Sequence, residues 1–330
     1  MKRTILILSA LAIASTLFFA CRREGGGGGQ QTGKENVFVY NFEDAATKTV
    51  DDSKKLIEKF LGSRDLANLY KSDDNTVYYT SKDDVSETFE NDLNNGNFTF
   101  NRSMKQYMGT NAPQLPGREE AIRAAEEFLN KNGLMPKNRN ELILAHYGGL
   151  RAAAVIDGKT AGPVIDKLVT VTYSRRVDEL PVIGPGSKVV INIGNKGEVM
   201  GAIYRWRELS SASRKQVEAQ QAISQTEAEE MAKRQIMSEF GEGTSYKIAG
   251  SGRAYYDNNG RILQPVYVFE TTITLRDKKV APFNYLCVIP LLRNSSEPLN
   301  LTAVDPRAKE SLRTIKKGET PQPSQGEKEE

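Results

Sequence analysis

Glu119-Glu-Ala-Ile-Arg-Ala-Ala-Glu-Glu-Phe-Leu129, followed by Asn132-Gly133 and then Glu141-Leu-Ile-Leu-Ala-His-Tyr147, is the stretch on which the fold turns. Ala121, Ile122, Ala124, Ala125, Phe128 and Leu129 recur at helical spacing, so a helix here has one apolar side and one charged side. Asn132-Gly133 ends it, and Pro136 bars its continuation. The apolar run at 141–147 then reads as a strand. A helix with one greasy side must cover something, and the strands that follow supply it.

Leu168–Ser174 alternates through Val169, Val171 and Tyr173, and Lys188–Ile193 alternates through Val189, Ile191 and Ile193. Leu180-Pro-Val-Ile-Gly-Pro-Gly186 is expected as a connector between them. Gly194-Asn-Lys-Gly197 is a tight turn into a partner strand over Val199–Trp206. Glu208–Gln221 is polar, a linker or an exposed helix. The order then restarts. Ser224-Gln-Thr-Glu227 matches a capping box ahead of a helix whose apolar side is Ala228, Met231, Ala232, Ile236 and Phe240. Strands are expected at 246–248, 253–256, 264–275 and 284–289.

Upstream, Val37–Tyr40 reads as a short strand, 51–62 as a helix capped by Asp or Ser, and 75–80 and 98–100 as strands. The segment 37–112 is therefore an α+β piece and a candidate partial copy of the same unit. The expected organisation is a 1–20 signal, a 21–36 tether, the 37–112 segment and a 113–209 unit. A 210–223 linker, a second unit at 224–305 and a polar, disordered tail at 306–330 complete it. The fold class is α+β, a repeated helix packed on antiparallel sheet.

The 180–186 stretch, the strand after it and Gly194-Asn-Lys-Gly-Glu-Val199 together resemble PepSY-type domains and the propeptide modules of thermolysin-like proteases. Leu263-Gln-Pro-Val-Tyr-Val-Phe269 resembles a strand of the same modules. The resemblance implies a cystatin-like helix on a curved sheet, in an envelope module that binds or restrains a protein partner, sometimes a peptidase. It brings no catalytic residues.

The N-terminus indicates where such a module works. Lys2-Arg3, the apolar run Thr4–Ala20 and then Cys21 make a secretory signal. Leu17-Phe-Phe-Ala-Cys21 resembles the lipobox of bacterial lipoproteins, which implies that Cys21 is acylated and becomes the mature N-terminus. Acyl chains anchor at ~0.8 kcal/mol per buried CH₂, so two or three hold firmly. Gly25–Gly29 supplies a tether, since consecutive glycines lose the most backbone entropy on ordering. The expected location is the cell envelope, at the outer membrane in preference to the outer leaflet of the inner membrane. The net charge of +3 over 330 residues marks no long basic face, so no nucleic-acid partner is expected.

The chemistry-bearing residues are few. There are two cysteines, and with Cys21 acylated Cys287 has no disulfide partner. His146 is the one histidine, so a Ser-His or Cys-His pair would have to use it. The adjacent acids Asp51-Asp52, Asp73-Asp74, Asp83-Asp84 and Glu119-Glu120 are expected to be solvated. No catalytic residue, metal ligand or cofactor is assigned. Tyr204-Arg-Trp-Arg207 is the candidate partner-binding stretch, because aromatic and arginine side chains dominate binding hot spots. The bland alternative puts Tyr204 and Trp206 in the core, with Arg205 and Arg207 reaching out to water. The reading is a lipid-anchored, non-enzymatic module that binds a protein or peptide and bears on a peptidase. The alternatives are an envelope hydrolase using His146 or a carboxylate pair, and a structural envelope-assembly lipoprotein.

Overall fold

The computed structural model describes residues 37–297 and 299, apart from 47, 157–159, 277–279 and 296. The signal, Cys21, the Gly-rich tether and the 306–330 tail lie outside the described residues. Among the described residues, three α-helices and fourteen strands form an α+β body built on antiparallel sheet. The helices are α1 (Val50–Leu61), α2 (Arg118–Lys131) and α3 (Gln225–Phe240). Among the described residues, no helix is long and apolar enough to cross a membrane.

The first sheet has eight strands. They are β2 (Tyr70–Lys71), β3 (Thr76–Thr80), β4 (Thr88–Asp92), β5 (Phe98–Asn101), β6 (Leu142–Ile156), β7 (Thr160–Val177), β9 (Lys188–Ile193) and β10 (Val199–Arg205). Their spatial order is β6-β7-β9-β10-β5-β4-β3-β2, antiparallel throughout. α1 and α2 both pack on one face of it. Ile57, Phe60 and Leu61 of α1 and Ala121, Ala125 and Leu129 of α2 share a core with Phe98, Phe100, Val171, Tyr173, Ile191 and Ala202. Burying that apolar face, at ~25 cal/mol per Å², is what holds the layers together.

The second sheet is β12 (Ser245–Asp257) and β13 (Ile262–Thr274) with β14 (Phe283–Pro290). α3 covers it, setting Ala228, Ala232 and Ile236 against Phe269, Ile273, Cys287 and Ile289. The spacing matches α2: Ala121-x3-Ala125-x3-Leu129 and Ala228-x3-Ala232-x3-Ile236, all of them fully buried. Alanine at two successive turns lets the helix axis approach the strands closely, and the third turn fills the end of the groove.

Four features depart from the sequence expectation. The 180–186 connector contains β8 (Leu180–Ile183), which pairs antiparallel with β7 and parallel with β12, joining the two sheets. Its hairpin turn holds both Asp178 (φ 48) and Glu179 (φ 62) in the left-handed region, as a type I′ turn requires. Gly186 follows because a Cβ there would sit 2.2 Å from the Asp257 carboxylate. Second, the polar 208–221 stretch is not a helix: β11 (Lys215–Gln216) pairs with β1 (Phe38–Asn41). Third, β1 lies along the edge of β13. The span 37–112 therefore supplies β1 to the second sheet, and α1 and β2–β5 to the first. Fourth, 246–248 and 253–256 are one strand, carried through a bulge between Ile248 and Gly250.

Candidate functional site

The candidate stretch Tyr204–Arg207 lies where the two sheets meet, and its side chains are engaged within the chain. Tyr204 stacks on Phe98 at 5.2 Å and donates to the Leu134 carbonyl at 3.0 Å. Burial, reinforced by Glu208, raises its phenol pKa. Trp206 is 5% exposed and belongs to the core under α1 and α2. Arg207 sits 4.0 Å over the Phe42 ring and 3.6 Å from Asp257. Arg205 donates to the Pro185 carbonyl at 3.3 Å.

Arg175, which the sequence reading passed over, is the centre of this junction. It is 1% exposed, lies 4.6 Å over Trp206, and donates to Glu141 at 2.6 Å and to the Arg207 carbonyl at 2.7 Å. Glu141 pairs the charge of this buried guanidinium and the Arg207 carbonyl takes a second donor, while its Nη2 has the Glu141 ion pair but no hydrogen bond. Beside it, Tyr40 and Tyr255 both donate to the Asp178 carboxylate in the β7–β8 turn. Burial first, and then Asp178, push the Tyr40 phenol up to about 12.

The other residues weighed for chemistry are dispersed. Cys287 is fully buried beneath α3, and burial pushes its thiol up to about 12, far from a reactive thiolate. His146 is on β6, opposite Thr172, in a different layer from Cys287. Asp52 belongs to the α1 cap with Thr49, and Asp84 binds Ser86 and Ser103 in a loop. Asp74 bonds Ser72 and the Thr76 N–H in the turn before β3, and Glu119 and Glu120 occupy the first turn of α2. No group of three or more metal-ligating side chains converges among the described residues.

The second face of the eight-stranded sheet carries neither α1 nor α2, and its central residues are half-buried, with the Thr172 hydroxyl oxygen enclosed. Cross-strand register places His146, Thr172, Val190, Ile203, Thr99, Glu90, Tyr78 and Tyr70 in one row, one residue from each strand. Their sequence neighbours Val171, Val189, Ala202, Phe98, Phe89, Val77 and Tyr79 are buried on the helix side. Val190 and Ile203 are the aliphatic centre of the row, and Tyr70 stacks on Tyr78 at 5.3 Å at one end. Thr170 bonds Asn192 at 2.9 Å in the next row.

Both ends of this face are bordered by other segments of the fold. At one end, a small cluster of Tyr107, Leu168 and Met200 with Met104 borders it, and Lys167, 3% exposed, donates to the carbonyls of Gly109 and Asn111. At the other, Arg205 reaches Pro185, and Asn97 donates to Asn259 of the β12–β13 turn at 2.9 Å. A separate cleft of about 470 Å³ opens at the C-terminal end of α1, where Arg64 pairs with Glu87, Arg102 pairs with Glu198 and Lys59 donates to the Asn132 carbonyl.

No protein-family model and no curated protein matches the chain. Among solved structures, it is similar to an uncharacterized protein from Eubacterium rectale at 9% identity and a TM-score of 0.39, over 80% of this chain and 86% of that one. It is also similar to the YpeB C-terminal domain of Bacillus megaterium at 14% identity and a TM-score of 0.29, over 74% of this chain and 98% of that one.

Proposed function

We propose that the protein is a non-enzymatic binding module of the bacterial cell envelope, held to the outer membrane by acyl chains on Cys21. Its open sheet face docks an extended segment of a protein or peptide partner. The observation that carries this reading is the His146–Tyr70 row. It crosses eight strands, faces away from both helices, and has aliphatic residues at its centre with polar residues around them. An extended segment suits it, because threonine and asparagine side chains at 99, 101, 170 and 192 can bond main-chain amides while Val190 and Ile203 receive a side chain. The stretches at 180–199 and 263–269, which resemble PepSY-type and propeptide modules, make a peptidase the partner class we favour.

The test uses the full chain as bait in detergent-solubilised envelopes, alongside Val190→Glu and Ile203→Glu. The expected result is a partner captured by the parent and lost by both folded variants. Capture unaffected by either change, or no capture at all, overturns the docking face. Mass spectrometry of the mature N-terminus tests the anchor: acylated Cys21 is expected, and an unacylated terminus elsewhere contradicts it.

A further inference from the structure

Two cations, both half-buried, stand side by side at the end of this sheet face, with Asp257 near enough to act on Lys188. Lys188 of β9 lies directly opposite Arg205 of β10, so their Cβ atoms are within about 5.5 Å. Like charges at directly opposed positions of a sheet repel, and proteins usually separate or neutralise them. Here, among the described residues, neither forms an ion pair. Among the described residues Lys188 makes no hydrogen bond or ion pair, and Arg205 bonds only the Pro185 carbonyl. Burial and the neighbouring Arg205 lower the Lys188 pKa, while Asp257 opposes them. Asp257 is already held by Ser187 at 2.6 Å, by the Asn259 N–H at 2.9 Å and by Arg207 at 3.6 Å.

We propose that Lys188 and Arg205 form a carboxylate-binding anchor, so that the segment docked on the open face carries an aspartate or glutamate at this point. The inference rests on the docking reading above and adds the chemistry of the occupant. The pair flanks the aliphatic centre: Lys188 and Val190 are two residues apart on β9, as are Arg205 and Ile203 on β10. An extended segment running along these strands therefore sets its acid on the cations and a residue two places away on the aliphatics, matching the two-residue side-chain period of a strand. Charge complementarity supplies specificity and register.

The experiment selects a displayed library of random octapeptides against the full chain in detergent, against Lys188→Met and against Lys188→Met with Arg205→Met. Acidic residues are expected to be enriched at one position with the parent chain, by at least about tenfold over neutral amides, since a hydrogen bond to a charged group is stronger than one to a neutral group. The enrichment is expected to vanish with the double variant. Peptides selected without an acidic position, or an acidic position retained by the double variant, overturn the anchor and leave the docking face standing. No enrichment of any peptide overturns both. A thermal melt separates this role from a structural one. Removing a like-charge repulsion raises the melting temperature of Lys188→Met by about 1–3 °C; a fall would show that Lys188 holds the fold and would contradict the proposal.

Discussion

At the scale of single residues, the molecule concentrates its constraints at the joint between the sheets. Arg175 is fully enclosed with Glu141, so Arg175→Met, which strands that carboxylate, is expected to lower stability by about 3 kcal/mol, read by urea denaturation. Glu179 is the opposite case. Its side chain is 94% exposed, makes only a 4.0 Å contact with Arg176, and holds φ 62 in the β7–β8 turn. Glu179→Gly relieves that conformation and is expected to raise stability by about 0.5–1 kcal/mol. Tyr40 sets an alkaline limit. An unfolded tyrosine ionises near 10, whereas folded Tyr40 keeps its proton to about 12. Its stabilisation is thus complete below pH 10 and is lost as pH rises towards 12. Tyr40→Phe is expected to flatten that decline between pH 10 and 12, and an unchanged slope would show that Tyr40 does not cause it. The roles of Arg175 and Tyr40 could not be read from sequence spacing, because Arg175 meets Glu141, and Tyr40 meets Asp178, only when distant strands pair.

At the scale of elements, helices and alternating strands were legible and connectors were not. The α3 capping box forms as Ser224 and Glu227 implied, with Ser224 accepting from the Glu227 N–H at 3.2 Å and the Ser224 N–H reaching Glu227 at 2.9 Å. Ser224→Ala is expected to cost about 1 kcal/mol. The alanine stripe was equally readable, since its period is local. Ala232→Leu adds volume where the helix meets β13 and β14, and is expected to cost about 1–3 kcal/mol in denaturant midpoint measurements. By contrast, Leu180–Ile183 contains Pro181 and runs into Gly184-Pro-Gly186, which signal a loop, yet tertiary partners on both sides make it a strand. The same holds for Lys215–Gln216, whose polarity suits an edge pairing that no local pattern announces. For the site, Val189, Ile191 and Ile193 drew the eye as an alternating core set. The residues between them, from Lys188 to Asn192, became visible as a surface only when register lined them up with the neighbouring strands.

At the scale of the whole molecule, residues 37–297 fall within one compact unit, with β8 shared by two helix-covered layers. The repeated helix–sheet order was legible, but the junction that makes the copies one body was not. That junction also explains the fate of Tyr204–Arg207. The sequence offered four side chains of hot-spot type, and the fold turns Trp206 and Arg207 inward to join the layers, leaving Arg205 at the edge of the open face. The described body is expected to unfold in one transition with equal calorimetric and van 't Hoff enthalpies, and two separated transitions would contradict a shared β8.

The central claim is that the partner meets the open sheet face. Site-specific photo-crosslinking in intact cells tests it most directly, with the photoreactive residue placed in turn at Thr99, Thr172 and Ile203 on that face and at Glu126 and Glu127 on the outer side of α2. The account predicts a discrete adduct from the three sheet positions and none from the two helix positions. Adducts from the helix positions alone, or from all five alike, would contradict it.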